Sequence, residues 1–309
     1  MWRAFEWIAC RLSPHHAARF GAALGFLAGR VLGWRRAVAR DNLRHAFPRL
    51  EAAHLRPLLR AVYAHLGAVV VSSLRLPLLT PAAAEALLGD EVLLELRRLL
   101  AGRRGLIVLS AHLGFWDLLA CAAARAGLPV NVVTRQLRAG ALNRWWMGRR
   151  AASGVRLWPA RGSALALAQC LRRGELVAMV LDQHQPGGAV VPFFGRPAAT
   201  ARGLAQLARL SGAPVLPAFM VQRDGGPGVE LGPVLRIDGA PALAERADTG
   251  SRRLPTRLEL RQAEDRFTAE LTALIEQQVR RFPEQWFWVH RRWKVPSAPP
   301  PRPKVRPGA

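Results

Sequence analysis

The segment Leu106-Ile107-Val108-Leu109-Ser110-Ala111-His112-Leu113-Gly114-Phe115-Trp116-Asp117 constrains this chain more than any other. It opens with an apolar run suited to a buried strand, and the run ends in Ser110-Ala111. His112 follows at the carboxyl end of that strand, and Asp117 comes five residues later. On one regular helix, residues at that spacing point about 140° away from each other. The two side chains meet only if His112 lies in a strand-to-helix turn and Asp117 leans back from the first helical turn. Gly114 gives such a turn the backbone freedom it needs. A carboxylate placed there holds an imidazole in one tautomer and stabilises its protonated form, which prepares a general base. A turn histidine that only satisfies backbone groups would carry the same spacing, so the pair alone does not establish an enzyme.

The flanking segments supply the layers such a turn requires. Residues 40–81 read as mostly helical, punctuated by Pro48 and Pro57, and a further helix over 91–101 leads into the strand. Beyond it, helices are expected over 115–126, 142–152, 164–171, 199–210 and 257–280. Strands are expected over 130–134, 176–181, 215–221 and 229–237. Helices interleaved with strands predict an α/β fold with a central, mostly parallel or mixed sheet flanked by helices. Residues 238–255 read as a mobile Ala/Arg-rich loop, and the Pro-rich tail from 296 as extended or disordered. The division expected is an amino-terminal helical segment (1–38), one large domain (39–295) and the tail (296–309).

The formal net charge is +24, with 45 basic residues against 21 acidic ones. That field favours anionic partners: nucleic acid, acidic proteins or anionic lipid head groups. Cys10, Cys121 and Cys170 lie far apart without metal-ligand spacing, as expected of ordinary thiols in a reducing compartment.

The amino terminus narrows the choice of partner. The stretch from Trp2 to Trp34 is rich in Ala, Leu, Phe and Trp, but Arg11, Arg19 and Arg30 interrupt it. Its longest uncharged run, residues 20–29, is shorter than the roughly 20 residues a spanning helix needs. The order of regions in a secretory signal is absent. The stretch therefore reads as a helix lying in the membrane interface, with a tilted span and a buried core helix as the alternatives. Arg35, Arg36 and Arg40 follow it, which puts the remainder on the cytoplasmic side.

Three further segments carry chemistry. Asp182-Gln183-His184 follows the 176–181 strand, at the strand end where open α/β sheets bind ligands. With His112 and Asp117 it raises a metal site, but no helical His pair or Glu-x-x-His supports one. Phe193-Phe194-Gly195-Arg196-Pro197 reads as a glycine-pivoted turn ahead of a helix capped near Thr200. Arg196 and Arg202 are anion-binding candidates there, or solvated surface charges. The segment Pro283 to Lys294 interleaves Trp and cations, which suits a lipid interface, stacking on bases, or packing onto the core. No Gly-x-Ser-x-Gly, Walker loop or Gly-x-Gly-x-x-Gly occurs.

Taken in order, these blocks resemble the lipid A biosynthesis acyltransferases of the lauroyl/myristoyl type, within the lysophospholipid acyltransferase superfamily. The likeness runs through Arg40-Asp41-Asn42-Leu43 with Ala46-Phe47-Pro48, then the His112-to-Asp117 block. It continues through Asp182-Gln183, Phe193-Phe194-Gly195, Gly212-Ala213-Pro214-Val215 and the closing Pro283-Glu284-Gln285-Trp286 to Lys294. The resemblance implies that His112 deprotonates an acceptor hydroxyl, oriented by Asp117, and that no metal or bound cofactor is required. It implies acyl-carrier protein as acyl donor, an anionic lipid acceptor, and a site at the inner-membrane surface. It further implies a basic residue downstream of the histidine. Arg149 is the best-placed candidate for it, with Arg135, Arg150 and Arg161 as the others; Asp182, Gly195 and Arg196 join the expected substrate site. Asp117 departs from the Glu common in the lipid A type and leaves the acceptor open, with a lysophospholipid or other glycolipid as the alternative. A basic nucleic-acid binder is the reading from another class, but the arginines are dispersed and no binding motif for DNA or RNA appears.

Overall fold

The computed structural model describes residues 2–102, 104–135, 140–237 and 255–294. The tail from 296 and the 238–255 loop, apart from Pro255, lie outside those residues. The strands are β1 (Leu106–Ser110), β2 (Val130–Thr134), β3 (Arg156–Pro159), β4 (Leu176–Val180), β5 (Ala189–Phe193), β6 (Arg196–Thr200), β7 (Val215–Arg223) and β8 (Gly226–Leu231). The helices before the His112 turn are α1 (Trp2–Arg11), α2 (Pro14–Phe26), α3 (Arg36–Ala46), α4 (Ala52–Leu74), α5 (Pro81–Leu88) and α6 (Asp90–Ala101). After it come α7 (Trp116–Arg125), α8 (Gly140–Ala152), α9 (Ala164–Arg172), α10 (Gly203–Ser211) and α11 (Arg257–Arg281).

Six strands form one sheet in the order β3-β2-β4-β1-β7-β8. Its pairs are parallel except β7 with β8. The fold is the expected α/β sandwich. β1 lies between β4 and β7, and all five of its residues are buried. That explains its unbroken apolar sequence: helices cover both faces of a parallel strand. Ile107 and Leu109 join the layer built on α3, α4, α9, α10 and α11, while Leu106 and Val108 join the layer under α5, α6 and α7. β3 was not expected from its short sequence.

The 193–202 segment differs from expectation. β5 and β6 form a hairpin with Phe193 opposite Arg196, and Phe194 and Gly195 both take positive φ, at 52° and 70°. Two left-handed residues are what a tight hairpin turn requires, so the expected glycine-pivoted turn is present, but a strand follows it in place of a helix. Thr200 accordingly ends β6 instead of capping a helix, and α10 starts only at Gly203.

The amino terminus is two helices, not one. Ser13 accepts a hydrogen bond from the His16 backbone N–H and Pro14 takes the first helical position, so the chain stops and restarts there. α2 runs on into a π-helical turn, Leu27–Val31. One face of α2 sits tightly on α4: a Cβ at Gly25 would lie 1.9 Å from the Tyr63 carbonyl oxygen, and one at Gly67 would lie 1.8 Å from that of Gly21. The other face leaves Phe26, Leu27, Val31, Leu32 and Trp34 exposed. Among the described residues α4 alone is long and apolar enough to cross a membrane, yet 56% of its apolar window is buried in protein.

Of the three readings of the closing Trp-rich segment, packing onto the core is the one found. Trp286 and Trp288 are buried, with ring centroids 4.6 Å apart, and Phe193, Phe194 and Phe47 pack around them. It is core. The glycine contact gives a direct test: Gly25→Ala forces α2 off α4 and should cost about 1–3 kcal/mol, as overpacking does. A thermal midpoint equal to that of the unaltered protein would show that this approach is not close.

Candidate active site

The predicted strand-to-helix turn is present, and the carboxyl-terminal segment builds half of it. Beyond β1, Leu113 forms an isolated antiparallel bridge with Trp286. The backbone N–H of Gly114 donates to the Gln285 carbonyl at 3.0 Å, and that of Phe287 donates to the His112 carbonyl at 2.9 Å. Gly114 has φ +59°, and a Cβ there would lie 1.9 Å from the Met220 carbonyl oxygen, so only glycine fits.

This turn aims His112 across the sheet at Asp182, just past the end of β4. His112 Nδ1 lies 2.8 Å from Asp182 Oδ1, while Oδ2 accepts from the His112 backbone N–H at 2.9 Å and from Trp286 Nε1 at 2.7 Å. The Asp182 side chain is 1% exposed. Burial pushes its pKa up, but the His112 charge and the three hydrogen bonds outweigh that and hold it below the ordinary carboxylate value. A carboxylate only accepts, so Nδ1 must carry the imidazole proton. Nε2 of the neutral ring then keeps its lone pair, which faces the Gln183 amide nitrogen 3.3 Å away. Trp116 and Phe287 flank the ring, their centroids 5.2 and 5.9 Å from its own. A histidine fixed this way, with the Nε2 lone pair on the cavity side where Gln183 meets it, has the geometry of a general base.

Asp117 does not hold the imidazole, contrary to expectation. It lies in the first turn of α7 and faces α8, where Arg150 Nη2 reaches Oδ1 at 2.5 Å and Trp146 Nε1 reaches Oδ2 at 2.7 Å. The reason is steric direction: the left-handed Gly114 turns His112 toward β4 while α7 carries Asp117 to the opposite wall. His112 and Asp117 nonetheless line one cavity of about 590 Å³. Its walls are apolar, with Val108, Val130, Val132 and Ala178 from the sheet and Leu119 and Ala123 from α7. The polar lining gathers at the carboxyl ends of the strands, where His112, Asp117, Arg135, Arg150 and Gln183 meet.

The expected arginines divide. Arg150 lines the cavity and also donates to Thr134 Oγ1 at 3.1 Å. Arg135 lines it too and bonds Gln185 Oε1. Arg149 is turned away and pairs with Glu6 of α1 at 3.0 Å, because one residue along a helix rotates a side chain by about 100°. Arg161 is exposed and outside the lining. Gly195 and Arg196 are exposed at the hairpin turn, also outside it, and Arg202 pairs with Asp265. Trp146 and Trp286, the indoles that fix the two carboxylates, were missed. Their only signal was position, Trp146 four residues before Arg150 and Trp286 in the closing block. Among the described residues no group of three or more His, Cys, Asp or Glu could hold a metal ion.

The remaining blocks brace the same place. Asn42 Nδ2 donates to the carbonyls of Trp288 and His290, each at 2.6 Å. Arg292, fully buried, donates to the Ala199 carbonyl at 2.8 Å and to Thr200 Oγ1 at 2.5 Å. Gln285 exchanges two hydrogen bonds with the Gln222 backbone, at 2.8 and 2.9 Å.

A model of the bacterial lipid A biosynthesis acyltransferase family matches residues 2–295. The chain belongs to that family. Over 292 residues it is 24% identical to a lipid A biosynthesis palmitoleoyltransferase of Escherichia coli (strain K12), covering 94% of this chain and 88% of the relative. A lipid A biosynthesis acyltransferase of Shigella flexneri matches to the same extent.

In this acyltransferase, Asp182→Asn separates orientation from packing. An amide at that position can donate to Nδ1 and moves the proton to Nε2, the wrong tautomer for a base. Turnover should fall by at least about 10²-fold with the secondary structure retained; an unaltered rate in the folded variant removes Asp182 from the mechanism. Two other histidines set a pH response. Burial keeps His65 and His290 neutral, each with its pKa pushed down to about 4. An unfolded chain protonates both near about 6.5, so their contribution is complete above that value and is lost as pH falls toward about 4. The thermal midpoint should drop over this window, and His65→Gln should flatten the drop. Parallel curves for the two proteins would rule His65 out.

Proposed function

We propose that this acyltransferase moves a fatty acyl chain from the thioester of acyl-carrier protein to a hydroxyl of a lipid A precursor, at the cytoplasmic face of the inner membrane. The observation that carries this reading is His112, whose Nδ1 is fixed by buried Asp182 while Nε2 stands at the polar end of an apolar cavity. Nε2 takes the proton of the acceptor hydroxyl as its oxygen attacks the thioester carbonyl. The tetrahedral intermediate collapses, the carbon–sulfur bond breaks, and the imidazolium returns the proton to the leaving thiolate. Asp182 stabilises the imidazolium between those transfers.

Arg150 and Arg135 stand where negative charge arrives or develops, on the acceptor's phosphates and on the oxyanion. Asp117 and Trp146 hold Arg150 in that place, so the acid of the His-x4-Asp pattern acts through the guanidinium. The apolar wall suits the acyl chain. The net charge of +24 suits docking of an acidic carrier protein. Exposed Phe26, Leu27, Val31 and Leu32 suit contact with the bilayer that holds the acceptor.

The purified enzyme, given lipid A precursor or lysophosphatidic acid with either acyl-carrier-protein or CoA thioesters, should acylate the precursor from the carrier-protein donor. Acylation confined to lysophosphatidic acid would move the assignment to glycerolipids. His112→Ala should lower turnover at least about 10²-fold, and a folded variant of ordinary rate would reject His112 as the base. Asp117→Asn should also slow transfer sharply, while Asp117→Glu retains part of it. Replacing Phe26 and Leu32 together by Glu should weaken sedimentation with anionic phospholipid vesicles; unaltered sedimentation would place the membrane contact elsewhere.

A further inference from the structure

A second cavity, of about 330 Å³, lies beside the one that holds His112. Its own walls come from the amino-terminal helices, α4 and α8, through Phe5, Leu24, Ala28, Leu66, Leu142 and Trp145. Trp34, Val70 and Trp146 line both cavities, so three side chains form the partition. The cavity opens to solvent on one side, and an apolar lining of this extent is unfavourable to leave against water.

The lining states what the space accepts. Its polar atoms are already engaged: Trp145 Nε1 donates to Glu6 Oε2 at 2.8 Å, Trp146 Nε1 to Asp117 Oδ2 at 2.7 Å, and the Tyr63 hydroxyl to the Trp34 carbonyl. Only ring faces and aliphatic carbons remain, which fits a hydrocarbon chain and nothing polar. The position says whose chain. Ala28 belongs to the π-helical turn Leu27–Val31, a distortion common at functional sites. The same turn and its neighbours carry exposed Phe26 and Leu32, 57% and 70% exposed, on the side argued to meet the bilayer. A chain entering from that exposed side would lie along Leu24 and Ala28, with its head group at the partition, where Trp146 bonds Asp117 beside Arg150.

We infer that the second cavity binds one acyl chain of the lipid acceptor, while the His112 cavity takes the chain of the acyl donor. This rests on the acyl-transfer reading above and adds a separate subsite to it. Trp146 then has two tasks, since it divides the two chains and donates to the carboxylate that holds Arg150.

Ala28→Phe fills the second cavity without touching a charged group. The KM for the lipid A precursor should rise about tenfold or more, and the KM for the carrier-protein thioester should stay within about twofold. A rise in the thioester KM instead would give the cavity to the donor chain, and two unmoved values in a folded variant would remove it as a binding site. The unaltered protein supplies an independent readout. A lipid A precursor with a diazirine midway along one acyl chain, once irradiated, should label the segments around Leu24, Leu66 or Leu142. Labelling confined to residues of the His112 cavity, such as Val130 and Leu119, would overturn the inference. Labelled segments without any turnover of the precursor would leave the subsite standing and defeat the proposed reaction, whereas ordinary turnover without label does the reverse.

Discussion

The buried carboxylate of Asp182 is the constraint on which the rest depends. Enclosing a charge in protein is tolerated only when its oxygens are satisfied, and here three partners converge on it from a turn, a ring and an indole. Each bond also fixes something. The backbone bond sets the turn after β1, the imidazole bond sets the tautomer, and the indole bond seats the carboxyl-terminal segment. An electrostatic necessity thereby becomes positional accuracy at His112.

The sequence blocks that carry the family likeness find a common explanation in that segment. Asn42 clasps it near the amino end of the fold, Gln285 ties it to β7, and Arg292 ties it to β6. Residues spread across most of the chain are bound to one strap, and the strap lies against the His112 turn. Their polar character belongs to the support of the site, while Arg135 and Arg150 line the cavity itself.

The layered fold was legible because its signals are local. An unbroken apolar run marks a doubly covered parallel strand, and Gly114 beside His112 marks a turn that only glycine can make. The orienting carboxylate was not legible, because spacing along a chain measures neighbours in sequence, whereas Asp182 reaches His112 across 70 residues through the β1–β4 pairing. Arg149 and Arg150 show the same limit on a smaller scale. Adjacent in sequence and alike in chemistry, they pair with Glu6 and Asp117 respectively, and only the rotation of α8 distinguishes them. Sequence left Trp286 and Trp288 open between an interface, stacking on bases and the core, because aromatic–cation patterns are shared by membrane edges and by cores capped with buried arginine.

The bridge between Leu113 and Trp286 bears on the order in which the molecule becomes an enzyme. On the ribosome the apolar helices emerge first, then the sheet, and the strap that seats His112 is among the last described residues to appear. Until Trp286 arrives, Asp182 lacks one of its partners and the histidine carbonyl lacks the Phe287 amide. The nascent chain therefore carries His112 and Asp182 before it carries the residues that seat them, and the site is set only after the sheet is in place.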